Sequence, residues 1–438
     1  MRTDSAPADL AGLDGTPGLS PFIEGRFGLA AAAVRSALAS RPSDAGLHYL
    51  AGLIHSCSCE HFDPNSVIDH LEQALAADPD LTMARPRLAQ AYAMKGMLDW
   101  SLSLAEQRRA HHPDLAEAIA EVGRARIARG EYGDGIEAAD EVVRWGGDVF
   151  AHGLAPAFIL TGHHEQVVSF YDPEMESTNT RAANALTHLH AGINDVWLGR
   201  FTQAEQHFER GAEFVDAPWQ APQKALFHLL LGRAYGVRGR GEEARAALEA
   251  ALQAVGRQPV LEYALGVEDL AAGRPEGARE ASRRLEPERH RAGPGWNEPW
   301  RRLLLGEIAL AGSETTRAVD ELREAWSLQR PLSIDCVAGN ADAYFLDALG
   351  RAYLASGRPK DALSMFEQIR SLGDRALNQP EIAVLALYGS GVALHELGRS
   401  SEAVARLGQF VRLWGKADAA PRRIADARDR LEHLGAAP

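Results

Sequence analysis

Apolar positions along this chain recur at helical spacing and are punctuated on a regular beat by glycine. A glycine is followed five residues later by a small side chain and nine later by an apolar one. Gly96, Ser101 and Ala105 show this, as do Gly199, Ala204 and Phe208, and Gly239, Ala244 and Leu248. Gly357, Ala362 and Phe366 repeat it, and then Gly398, Ala403 and Leu407. Positions five and nine lie on one face of a helix that the glycine precedes, so each block predicts a turn followed by an amphipathic helix. Gly96 to Gly130 and Gly239 to Gly273 are each 34 residues apart, room for two helices and their turns. A fixed period of this length predicts a solenoid, in which each helical hairpin buries its apolar face only against its neighbours.

Within that period the chain resembles the tetratricopeptide repeat. Leu88, Ala89, Tyr92, Gly96, Ser101, Ala105 and Pro113 fill the family's frame once. Leu231, Gly232, Tyr235, Gly239, Ala244, Leu248 and Ala251 fill it again, and Leu349 to Ile369 (LGRAYLASGRPKDALSMFEQI) is the strongest match. The small residues stand where two helices cross too closely for a large side chain. The resemblance implies an all-α right-handed superhelix of about ten helix-turn-helix repeats over residues 21–418. Turn markers fall at Gly25, Phe62, Gly96, Gly130, Gly162, Gly199, Gly239, Gly273, Gly312, Gly357 and Gly398. Residues 1–20, rich in Pro, Gly, Ala and Asp, read as a flexible tail. Residues 419–438 read as a capping helix, led by Pro421 and carrying Ile424, Ala427, Leu431 and Leu434, with a short tail. Irregular units are expected near 55–66, near 150–180 where Pro156 interrupts a helix, and near 285–300, where Pro287 to Trp300 holds three prolines and two glycines.

The segment ALHELGRSSEAVARLGQFVRLWGKAD, through Trp414, Lys416, Ala417 and Asp418, also resembles the closing stretch of repeat arrays in bacterial kinase or winged-helix regulators. No kinase signature accompanies it, so the resemblance supports the array and not that activity.

Formal net charge is −14, from 60 acidic and 46 basic residues, which argues against a general nucleic-acid binder. No run of 18 apolar residues suggests a membrane span, and the N-terminus is not a secretory signal. Cys57, Cys59 and Cys336, an odd and sparse set, fit a reducing cytoplasm. His55, Cys57, Cys59 and His61 (HSCSCEH) form the one dense group of metal-type ligands. Only one residue intervenes each time, where structural zinc sites use two to four, so a polar loop is the preferred reading and a metal or redox role the alternative. The pairs His111/His112, His163/His164 and His188/His190 fall largely at helix ends. No GxSxG or paired-carboxylate signature occurs, and the glycines of Gly232 to Arg245 already have turn roles. No cofactor is expected, and the chain reads as a non-enzymatic protein.

In tetratricopeptide repeats a set of first-helix positions lines the concave groove that receives a ligand. Those positions place Tyr49, Arg124, Trp197, Arg233, Tyr263, Trp300, Tyr344 and Arg351 in the groove. Trp, Tyr and Arg are the side chains that anchor protein interfaces, so a partner's peptide or helix is the expected ligand. The competing reading is that these residues bury one another. No asparagine stands at the ninth position, which argues against a clamp for a chaperone tail. The resemblance thus implies a cytoplasmic interaction scaffold, with a ligand-responsive regulatory sensor as the alternative.

Overall fold

The computed structural model describes residues 10, 12–171, 176, 179–286, 297–329, 334–419 and 422–436. It divides into two compact units, each described in its own right. Unit 1 comprises residues 1–161, 180–183 and 215–224, and unit 2 the remainder. In chain order the helices are α1 (Leu19–Ile23), α2 (Phe27–Ser40), α3 (Ala45–Cys57), α4 (Pro64–Ala77), α5 (Ala84–Met94), α6 (Leu98–His111), α7 (Ala116–Ala128) and α8 (Tyr132–Arg144). There follow α9 (Ala155–Leu160), α10 (His164–Phe170), α11 (Arg181–Trp197), α12 (Phe201–Glu213), α13 (Ala221–Val237), α14 (Gly241–Val255), α15 (Pro259–Ala271) and α16 (Pro275–Arg284). The last are α17 (Asn297–Ala311), α18 (Thr315–Gln329), α19 (Asp342–Ala355), α20 (Pro359–Ser371), α21 (Pro380–Glu396), α22 (Ser400–Trp414) and α23 (Arg422–His433). Among the described residues the only strands are two of two residues each, Ile334–Asp335 and Gly339–Asn340. The fold class is all-α, and no described helix is long and apolar enough to cross a membrane.

Successive helices pair as antiparallel hairpins, and the glycine beat sets the turns. Gly96, Gly199, Gly239, Gly357 and Gly398 adopt φ between 69° and 74°, which side chains with a Cβ rarely accept. The residue after each turn glycine donates its N–H back into the first helix, as Arg200 does to Asp195 O at 2.8 Å and Arg399 to Leu394 O at 2.9 Å. One marker shifts by a residue: Ser313, at φ 61°, takes the left-handed position expected of Gly312. Inside the hairpins glycine acts by its size. A Cβ on Gly192 would lie 2.5 Å from the Phe208 ring, and one on Gly350 would lie 2.7 Å from that of Phe366.

Several boundaries differ from the sequence reading. Leu10 and Leu13, within the expected flexible tail, are buried in the unit 1 core with Phe22, Leu50 and Leu71. Residues 287–296 of the expected loop lie outside the described residues, and Asn297 to Trp300 form the first turn of α17. Pro421 also lies outside them, while α23 buries Ile424, Ala427 and Leu431 as a capping helix should. Near Pro156, α9 and α10 shrink to six and seven residues.

Candidate interaction surfaces

Five of the expected groove residues meet in unit 2. Tyr263 on α15, Trp300 on α17 and Tyr344 on α19 form a mutual aromatic contact, with centroids 5.5 to 5.8 Å apart. All three are at most 4% exposed. The Arg233 guanidinium on α13 lies 4.8 Å over the Tyr344 ring and pairs with Glu381 on α21. Arg351 donates to both carboxylate oxygens of Glu307, at 2.5 and 3.1 Å, and to Asp347 at 2.8 Å. The Tyr263 hydroxyl donates to the same Glu307 at 3.1 Å. Burial pushes the Tyr263 and Tyr344 phenols up, so both stay protonated. Burial works against charge on Arg351, yet Glu307 and Asp347 hold its guanidinium ionised. The three aromatic rings are buried against one another, while the Arg233 and Arg351 side chains are partly exposed. Glu381, Glu307 and Asp347, which complete the cluster, were not among the expected site residues; of the three only Asp347, four residues before Arg351 on one helix, carries a local signal.

The other three stand apart. Tyr49 is fully buried in the unit 1 core. Arg124 donates to the His152 carbonyl at 2.6 Å and lies 3.7 Å from Glu117. Trp197 ends α11 with its ring 5.9 Å from His164, and its buried Nε1 has no hydrogen-bond partner among the described residues.

Exposed apolar side chains are concentrated on and beside α5 to α8 of unit 1. Trp100 is 64% and Trp145 53% exposed, and Met94, Met97, Leu115 and Val143 are also exposed. These are six of the eleven large exposed apolar side chains among the described residues, all within residues 94–145. The same helices carry a recess of about 400 Å³ lined by Glu106, Arg109, Ala110, Pro113, Val122 and Arg126. Its arginines are already engaged: Arg109 with Glu141 at 2.7 Å, and Arg126 with Asp134 at 2.6 Å. Sequence reasoning missed this surface because it drew groove positions from first helices only, whereas Trp100 lies on a second helix and Trp145 just beyond one.

The histidines brace hairpins. In α11–α12, His188 Nδ1 lies 2.9 Å from His207 Nδ1, while His188 Nε2 meets Glu176 at 2.8 Å and His207 Nε2 lies 3.6 Å from Asp195. Burial disfavours the charged rings, lowering His188 and bringing His207 down to about 4. His48 and His70 form the corresponding contact between α3 and α4 at 3.1 Å, and Arg302 and Glu321 form it between α17 and α18 at 2.9 Å. In the HSCSCEH segment α3 runs to Cys57, and His55 Nδ1–H donates to the His61 carbonyl at 2.8 Å across the loop. Among the described residues no three His, Cys, Asp or Glu side chains are placed to share a metal ion. Cys59 and Cys336 do not stand as free thiols, so the cysteine count gives no argument for a reducing compartment.

The tetratricopeptide repeat family matches the sequence at residues 192–259 and 348–421. No curated protein matches it. Among solved structures the chain is similar to yeast Tom70, with 12% identity, 95% of each chain covered and a TM-score of 0.37. It is also similar to a tetratricopeptide repeat protein from Parabacteroides merdae, with 15% identity, 67% of this chain and 93% of that one covered, and a TM-score of 0.36. A third similarity is to the APC/C hetero-tetramer Cut9–Hcn1, with 10% identity, 95% of each chain covered and a TM-score of 0.34.

Proposed function

We propose that this chain, a tetratricopeptide-repeat protein, is a non-enzymatic interaction scaffold that holds a partner protein on the exposed aromatic surface of α5 to α8. The observation that carries the proposal is the exposure of Trp100 and Trp145, 64% and 53%, the two most exposed large apolar side chains among the described residues. An indole left in water is an anchor in waiting, because burying it against a partner recovers the cost of hydrating it. The arginines nearby are already neutralised by glutamate and aspartate, so the partner is recognised by apolar side chains more than by charge. An amphipathic helix or an extended peptide with large apolar residues has that chemistry.

The test is a pull-down from the native host's extract with full-length protein. Trp100→Ala and Trp145→Ala should each weaken retention of specific partners by about 1–3 kcal/mol, roughly fivefold to 150-fold, without loss of helical signal. Leu29→Ala, an exposed apolar site elsewhere, serves as the control. An unchanged set of retained proteins in both tryptophan variants would exclude this surface.

A second reading, a sensor that opens on binding, is favoured by the aromatic cluster of unit 2. Those side chains must part before a peptide can reach them, so a ligand at that site should quench or shift the emission of buried Trp300.

A further inference from the structure

Six hairpin turns in this chain read Gly-Arg, and two of them continue with phenylalanine: Gly25-Arg26-Phe27 and Gly199-Arg200-Phe201. The six glycines share a left-handed backbone, with φ between 69° and 74°. They differ in what they touch. A Cβ added to Gly239, Gly273, Gly357 or Gly398 would meet nothing within 4 Å. One added to Gly25 would lie 2.8 Å from Pro218, and one added to Gly199 would lie 2.8 Å from Ala417. In both places the visitor belongs to a segment carrying tryptophan, from about two hundred residues further along the same unit.

The second case is the more complete. The Trp414 indole is fully buried, stands edge-on to Phe201 at 5.2 Å, and donates Nε1–H to the Val196 carbonyl at 2.9 Å. That carbonyl belongs to the last turn of α11 and also accepts from the Gly199 N–H at 3.1 Å, so the indole takes its second lone pair. Asp418 accepts from the Phe201 and Thr202 amides at 2.9 and 2.8 Å, the first two of α12. Arg200, at the cap position of that helix, makes no side-chain capping bond. The Asp418 N–H returns a bond to the Gly199 carbonyl at 3.2 Å. In the first case Trp219 stacks at 6.3 Å on Phe22, three residues ahead of the turn glycine, and Phe27 of the turn meets Phe22 edge-on at 5.8 Å. Both contacts fill the gap where a Cβ would be, and the second also satisfies two terminal amides that the turn leaves without a capping side chain.

We propose that the Gly-Arg-Phe turn is a socket for a tryptophan-bearing segment, and that the α11–α12 socket reads Trp-x-x-x-Asp, supplied in cis by Trp414 to Asp418. A partner segment with a tryptophan and, four residues on, an aspartate competes for the same socket. The proposal goes beyond the α5–α8 surface and does not depend on it.

The probe is a labelled synthetic peptide of residues 410–419, followed by fluorescence anisotropy against full-length protein. Trp414→Ala/Asp418→Ala vacates the socket and should bind the peptide at least tenfold more tightly than the wild-type protein, whose own segment competes. The same peptide with both residues replaced by alanine should not bind. Absence of binding to a fully helical vacated protein, or equal binding of both peptides, overturns the proposal. Should the double variant lose helical signal, Asp418→Ala alone decides by hydrogen exchange. The Phe201 and Thr202 amides should exchange at least tenfold faster and slow again when peptide is added, whereas unchanged exchange overturns the assignment.

Discussion

Tyr344 stands at the centre of ring contacts in the unit 2 cluster, with Tyr263, Trp300 and the Arg233 guanidinium all against its ring. Tyr344→Ala should therefore cost about 3–5 kcal/mol by the cavity it leaves, read as a lower urea midpoint. Arg351→Ala should cost a comparable amount for another reason: it strands the buried Glu307 without its bidentate partner. Replacing Glu307 and Arg351 together by Gln and Met should recover much of that loss, and a double variant as unstable as the single would refute the ion-pair account. The repeat frame located Arg233, Tyr263, Trp300, Tyr344 and Arg351 on one face because position within a helix is a local property. It could not say what that face meets. Arg233 finds Glu381 148 residues away, and nothing in either helix's own pattern encodes the other.

At the scale of the hairpin, size and protonation decide. Gly350 and Gly389 both lie against the Phe366 ring, where an added Cβ would come within 2.7 and 2.6 Å of it. Gly350→Ala should destabilise by about 1–3 kcal/mol through overpacking, and calorimetry should show a lower Tm. The histidine braces add a pH dependence. Burial holds His190 and His207 at about 4 against an ordinary 6.5. Their folded values lie below the unfolded one, so their stabilisation is complete above pH 6.5 and is lost as pH falls through 4. Asp195 runs the other way, since burial lifts its carboxyl from 3.8 to about 7. Its contribution is complete below 3.8 and is lost as pH rises through 7. Burial also lifts the Asp374 carboxyl to about 6, so two histidines oppose two carboxyls and their effects largely offset between pH 6.5 and 4. Asp195→Asn removes one carboxyl, so its urea midpoint should fall more on acidification from pH 6.5 to 4 than that of the wild type, and identical pH profiles would refute the assignment. The turns, the helix-crossing glycines and most helix limits were legible from the glycine beat. Ser313 was not, because a left-handed serine carries no signature that the neighbouring Gly312 does not carry better.

For the whole of unit 2, a repeat period describes nearest neighbours and nothing beyond them. Trp414 and Asp418 were visible as a resemblance, but their seat on α11–α12 was not. A stack that touches only adjacent members can lose its end members one at a time, each fraying at the cost of a single interface. Joining α22 and the segment after it to the α11–α12 turn leaves unit 2 without that loose end, because releasing the last hairpin also unseats the one some 216 residues before it. Unfolding should then be closer to all-or-none than in an array with free ends. In urea, the wild-type protein should show a steep unit 2 transition that Asp418→Ala broadens, with a smaller apparent m value as the terminal hairpins melt ahead of the rest.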